Sequence, residues 1–365
     1  MTSRRGFLQG AAATAGAIFC SCPLLDAHAQ SAAQPGGMRL PVAVNGKRVK
    51  TVDVHAHCLF HEAEQLVGSD NPAFQNTTLG QAEAFITLDQ RLKAMDAQGV
   101  DMEILSINPF WYGKDRELAG KVCEIQNQKL AELCASKPDR FAAYASLPLQ
   151  FPDLAAQMLE TAMKKQGLKG AAIGGTVAGE SFSDPKYHPV WAKAEELNAV
   201  LFIHPQSPPE LAKKLSGNGW LQNTVGLPLE TTIALSHLIF QGTLDKFPNL
   251  KVLSAHGGGY LPSYADRSDH ACFVNPSGCD PSITLKKKPT EYLKQLYFDA
   301  LVFSPEGLRH LAAQVGTSQI MLGSDYPYPW ELHPADAIMA TSSLSDDEKV
   351  AILGGNAARV FGMKA

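Results

Sequence analysis

Five side chains able to bind a metal or move a proton close short apolar runs of this sequence. His55-Ala56-His57 ends the run 51–57 (TVDVHAH), His204 ends 199–204 (AVLFIH), His256 ends 251–256 (KVLSAH) and Asp325 ends 319–325 (QIMLGSD). If these runs are strands, alternation puts His55 and His57 on one side, about 6–7 Å apart along the chain, so both reach one cation. A lone histidine at a strand end is more often a hydrogen-bonded core residue than a ligand. Histidines ending three separate runs, joined by a carboxylate ending a fourth, make a different case, provided that a fold gathers those ends. Neutral imidazole nitrogens with one carboxylate oxygen suit Zn²⁺ best and also accept Mn²⁺, Co²⁺ or Fe²⁺. One divalent ion with a position left open for water or substrate would make the site catalytic.

A single (β/α)₈ TIM barrel is the α/β fold that gathers them. Eight β-rich runs, 51–57, 102–107, 141–147, 170–174, 199–204, 251–256, 296–301 and 319–325, alternate with amphipathic stretches at 88–98, 117–135, 153–166, 187–197 and 229–246. Several runs are almost continuously apolar, as strands of a parallel sheet covered on both faces must be. Gly99-Val100 and Gly167-Leu168 supply helix stops before the next strand. No Gly-rich phosphate loop follows the first strand, which argues against a doubly wound open sheet. In a barrel, the loops at the strand C-termini carry function, and there the five residues fall.

Composition agrees. The chain has 365 residues, 45% hydrophobic and 19% charged, proportions of a globular protein. A net charge of −4 and a basic run no longer than Lys286-Lys287-Lys288 exclude a nucleic-acid-binding stripe. The first 29 residues look like an address. Ser3-Arg4-Arg5-Gly6-Phe7-Leu8 resembles a twin-arginine export signal, a mildly apolar run follows, and Ala27-His28-Ala29 is a small-x-small cleavage pattern. The expectation is a periplasmic protein, free of the membrane once residues 1–29 are removed, with a leader at 30–49 and the barrel at 50–363. Cys272 and Cys279 could bridge a loop in an oxidising compartment. The other mature cysteines, Cys58, Cys123 and Cys134, read as buried small hydrophobes.

The segments VDVHAH, FIHP, AHGGGYLP and LGSDYPYP, with DQRLKAMDAQGVD, resemble the amidohydrolase superfamily, in the branch of aminocarboxymuconate-semialdehyde decarboxylase. The likeness runs from about residue 50 to about 363. It implies a metal held by His55, His57, His204 and Asp325, with His256 beside a water at the metal and acting as acid or base. It also implies that Arg91 and Arg267 bind substrate carboxylates. A two-metal hydrolase of this superfamily needs a bridging Lys or Glu at the end of strand four. That run instead ends Ala171-Ala172-Ile173-Gly174-Gly175, which favours one metal. The chain departs from the family pattern at Gln206, where the characterised decarboxylase has Trp after His-Pro.

The leading expectation is therefore non-oxidative decarboxylation of an unsaturated or aromatic small-molecule carboxylate. His256 is the candidate acid/base, since imidazole titrates near neutrality, and Asp325 a second proton carrier. Hydrolysis of a small lactone, ester or amide by the same residues is the alternative, and a binding protein on an inactive scaffold the third. Barrel exteriors often pair, so a homodimer is a mild expectation. From residue chemistry alone, Arg91 reads as a surface arginine and Arg267 as a partner of Asp266 or Asp269. His237 and His188 read as packing. His61, Trp111, Tyr112, Tyr326 and Tyr328 lie close enough to strand ends to touch substrate but are as readily structural.

Overall fold

The computed structural model describes residues 40–68, 88–206 and 209–363. The expected signal at 1–29 and the first ten residues of the leader lie outside the described residues. The rest of the leader is part of the fold. Asn45-Gly46, both with positive φ, turn a hairpin between β1 (Ala43–Val44) and β2 (Lys47–Arg48), the Asn-Gly signal of a tight hairpin. Arg48 bonds Asp101 at 2.6 Å, so the folded unit starts before residue 50.

All eight expected strands are present. They are β3 (Val52–His57), β4 (Met102–Ser106), β5 and β6 (Phe141–Ala143 and Ala145–Ser146, parted only by Tyr144), β7 (Gly170–Ile173), β8 (Val200–Ile203), β9 (Lys251–Ser254), β10 (Tyr297–Asp299) and β11 (Ile320–Met321). They pair in parallel, β3-β4-β5 and β6 through β11 in chain order. The ring closes where Val54 N–H donates to Leu322 C=O and Asp325 N–H donates to His55 C=O, both at 2.9 Å. The helices return on the outside: α1 (His61–Val67), α2 (Leu88–Gln98), α3 (Arg116–Ser136), α4 (Pro152–Lys165), α5 (His188–Glu196), α6 (Leu227–Phe240) and α7 (Pro305–Val315). Capping fixes where they begin. Asp115 accepts from Leu118 N–H ahead of α3, Ser304 accepts from Gly307 N–H ahead of α7, and proline opens α4 and α7, where its missing N–H costs nothing.

Two apolar layers follow. Val52, Val54, Ile104, Tyr144, Phe202, Leu253 and Met321 fill the barrel, plugged from below by Val360 and Phe361 of α8 (Asn356–Phe361). Ala56, Leu105, Leu201, Ile203 and Val252 face the helices. In β3 the inward side changes from even to odd residue numbers. Asp53 pairs with Glu103 but Ala56 with Leu105, so β3 uses three steps where β4 uses two. This bulge lets Val52 and Val54 pack inside while His55 and His57 also turn inward, one layer higher.

Cys272 and Cys279 form a disulfide, while Cys58 and Cys123 are buried thiols. No helix among the described residues is long and apolar enough to cross a membrane.

Candidate metal centre

Asp325 leaves β11 with φ 62°, and His256 leaves β9 with φ 55°. Left-handed backbone at residues other than glycine costs about 1–3 kcal/mol each and survives where the surroundings over-determine it. After His256 the chain must double back against α6. A Cβ at Gly259 (φ 66°) would lie 2.1 Å from Pro228 C=O, so only glycine passes.

Oδ1 of Asp325 is the meeting point of three imidazoles. His57 Nε2 stands 2.8 Å from it, His55 Nε2 3.1 Å and His204 Nε2 3.9 Å. Nε2 of His55 and Nε2 of His57 are 3.1 Å apart. His256 Nε2 faces the other oxygen, Oδ2, at 3.6 Å. Four atoms held tetrahedrally at about 2.1 Å from one ion are about 3.4 Å from one another, so these are the separations of ligands around a cation. The ligand atoms of His55, His204, His256 and Asp325 all lie within 4.8 Å of one another, and His57 adjoins that group through Asp325 Oδ1 and His55 Nε2.

The orphaned atoms fit a metal. His204 is 4% exposed, yet neither of its ring nitrogens has a hydrogen-bond partner. Leaving a buried polar group so costs about 1–3 kcal/mol, which an ion would offset. Burial pushes the His57 imidazole down to about 4 and holds His204 well below its usual range, so both stay neutral with lone pairs available. His55 differs. Burial opposes its charge, but Asp325 and Asp299 together outweigh it and raise it to about 10 in the metal-free protein. Asp325 lies far below the usual carboxylate range, because the surrounding histidines overcome its burial. The donor set, three imidazoles and a carboxylate within reach of one point, suits one divalent ion.

Below the centre, Phe202 meets the His55 ring edge-on at 5.1 Å and stacks on Tyr144, whose hydroxyl donates to Val54 C=O. This floor keeps water from beneath the site. Above it opens a cavity of about 160 Å³ lined by Asn223, Leu227, His256, Phe303, Asp325 and Trp330. Trp330 stacks on Trp220 at 5.5 Å with ring planes 13° apart.

Neither arginine lines that cavity, and the role expected of Arg91 must be corrected. Arg91 is 3% exposed on the inner face of α2. Its guanidinium bonds Glu103 at 2.8 Å, donates to His57 C=O and covers the Tyr326 ring at 4.8 Å. Those contacts occupy it between helix and sheet, away from the mouth. Arg267 is exposed beside Tyr264, 6.0 Å from its ring. Of the two acids expected as its partners, Asp266 and Asp269, the latter accepts from Thr290 N–H and Oγ1. Gln206 donates through Nε2 to Pro109 C=O, tying two loops together. Trp111 is fully buried and bonds Leu147 C=O, and His61 pairs with Glu64 in solvent. Tyr328 does reach the centre, its ring 5.9 Å from that of His57. Asp299 is not among the residues expected from the sequence: it stands inside the run 296–301, and only the structure ends β10 there.

The amidohydrolase family model matches residues 52–363. The chain belongs to the amidohydrolase family. Among the relatives of this amidohydrolase, the 2-amino-3-carboxymuconate-6-semialdehyde decarboxylase of Dictyostelium discoideum is 34% identical over 278 residues, covering 75% of this chain and 76% of the relative. Among solved structures, the 5-carboxyvanillate decarboxylase of Sphingomonas paucimobilis matches with TM-score 0.79 at 26% identity, covering 87% of this chain and 100% of that one. A dihydroxybenzoic acid decarboxylase from Polaromonas, solved with manganese and 2-nitroresorcinol, matches with TM-score 0.74 at 26% identity over 86% and 97% of the two chains.

Proposed function

We infer that this amidohydrolase is a metal-dependent, non-oxidative decarboxylase of a small unsaturated or aromatic carboxylate. The observation that carries the reading is the division of labour on Asp325: three imidazoles converge on Oδ1, and the fourth faces Oδ2 from the cavity wall. We assign His55, His57, His204 and Asp325 as ligands, and His256, the more exposed at 13%, as the proton carrier. The end of β7 offers no bridging acid or lysine, so a second metal has no ligand there. Donor chemistry favours Zn²⁺, and Mn²⁺, which the Polaromonas relative holds, fits the same donors.

When bound, the ion supplies Lewis-acid polarisation of a substrate oxygen. The chain's residues do the rest. Phe303 and Trp330 flank a space well below the ~300 Å³ of drug-sized pockets, which admits a small planar substrate. His256 delivers a proton to the carbon bearing the carboxylate. The bond to that carboxylate breaks, its electron pair returns to the conjugated system, and carbon dioxide leaves. His256, 3.6 Å from Oδ2 of Asp325, regains its proton from water at the mouth.

Metal-loaded protein given a panel of ¹³C-carboxyl-labelled dihydroxybenzoates, carboxyvanillate and muconate acids should release labelled carbon dioxide from at least one. Turnover of lactones with no carbon dioxide from any acid would replace this reading with the hydrolytic one. Export to the periplasm is part of the same proposal, supported by Ser3–Leu8 and the Cys272–Cys279 disulfide. N-terminal sequencing of protein from the periplasmic fraction should begin after Ala29.

A further inference from the structure

Asp299, at the C-terminal end of β10, is fully buried and is not among the grouped metal donors His55, His204, His256 and Asp325. Its carboxylate nevertheless gathers four donors from three segments. Oδ2 accepts from His55 Nδ1 at 2.7 Å and from His256 N–H at 2.9 Å. Oδ1 accepts from Gly257 N–H at 2.8 Å and Leu301 N–H at 3.2 Å. We propose that Asp299 is a positioning residue that fixes which nitrogen His55 offers to the metal and, through the same oxygens, where the His256 turn stands. The inference rests on the metal-site reading but not on the decarboxylase reading.

A neutral imidazole that donates from Nδ1 to a carboxylate, the form a ligand must take, presents the Nε2 lone pair on its far side, and Nε2 of His55 is the atom 3.1 Å from Asp325 Oδ1. The anion behind the ring also raises the electron density on Nε2 and makes it a stronger ligand. His55 alone has this backing. Nδ1 of His57 meets the neutral Ser106 hydroxyl at 2.9 Å, and Nδ1 of His204 has no partner. The backbone bonds matter equally. His256 holds φ 55°, and its N–H and that of Gly257 both end on Asp299, so the carboxylate opposes relaxation of a strained turn. Packing leaves the pair no room to drift. A Cβ at Gly323 would stand 2.8 Å from Asp299 Cβ and 3.1 Å from His55 Cβ.

Asp299→Asn is the direct test. An amide can turn its NH₂ toward His55 Nδ1, which moves the ring proton to Nε2 and aims it at the ion. Metal affinity of the stripped protein, measured for Zn²⁺ and Mn²⁺ by competition with a chromophoric chelator, should fall about 10–100-fold. The metal-free variant should still unfold cooperatively in urea, with a midpoint lowered by the weakened bonds to His55 and the His256 turn. Wild-type affinity in the variant would overturn the proposal. Should the variant not fold, ¹⁵N-histidine spectra of the Zn²⁺-loaded wild type decide. A His55 ring protonated at Nδ1 and ligated through Nε2 supports the proposal, and ligation through Nδ1 overturns it. Both readings are taken without substrate, so failure to find a decarboxylase substrate leaves them intact.

Discussion

Replacing Arg91 by methionine separates a structural arginine from a substrate-binding one. Methionine keeps most of the side-chain volume but removes the charge, the 2.8 Å bond to Glu103 and the donation to His57 C=O. Glu103 is fully buried, and burial already holds its carboxyl above the usual range despite the pull of Arg91. Stripping one partner from a buried pair costs about 3–5 kcal/mol, because the remaining charge is left without compensation. The lost contacts to His57 and Tyr326 are worth about 1 kcal/mol each and overlap with that figure. Urea denaturation of Arg91→Met should therefore show a loss of about 3–5 kcal/mol. Adding Glu103→Gln should recover about 1–3 kcal/mol, the coupling expected of residues in contact. In steady-state kinetics of the metal-loaded variant, KM should stay within about twofold of the wild type, since uniform substrate binding has not been touched. A variant of near wild-type stability whose KM rises tenfold or more would refute the reasoning and restore Arg91 to the substrate.

Three further outcomes follow from the geometry. His204→Ala removes an imidazole whose ring nitrogens have no hydrogen-bond partner and are left to coordinate a metal, so metal retained after dialysis, read by elemental analysis, should fall well below one equivalent while the fold persists. His256→Gln should keep its metal and lose about 10²–10⁴ in kcat, the usual worth of a positioned acid or base; full turnover would remove His256 from the chemistry. Trp330→Ala takes away one wall of the 160 Å³ cavity and should shift preference, as a ratio of kcat/KM, toward bulkier ring-bearing acids. An unchanged ratio would place the substrate elsewhere.

Much of this arrangement was legible in the chain. The eight strands declare themselves as short apolar runs, four of them ending in His or Asp, and α2 ends where periodicity puts it, at Gln98. The convergence of His55, His57, His204, His256 and Asp325 follows once the strands close into a ring. What escaped is what needs packing to specify it. The β3 bulge is silent because a strand buried on both faces has no polar side to mark its register. Arg91 was misassigned because its role depends on which face of α2 meets the sheet, and a likeness of sequence does not say whether a guanidinium is already taken by Glu103. Asn45-Gly46 carried a hairpin signal that was passed over as leader. Asp299 escaped because the apolar run 296–301 continues past it, so only the strand pairing shows that β10 ends there.

The central claim is that strand ends distant in sequence share one ion, and anomalous diffraction from crystals soaked in Mn²⁺ tests it most directly. One anomalous peak should appear within bonding distance of Nε2 of His55, His57 and His204 and of Oδ1 of Asp325, with His256 outside that shell. Two peaks, a peak coordinated by His256 in place of His57, or none at this position would contradict it.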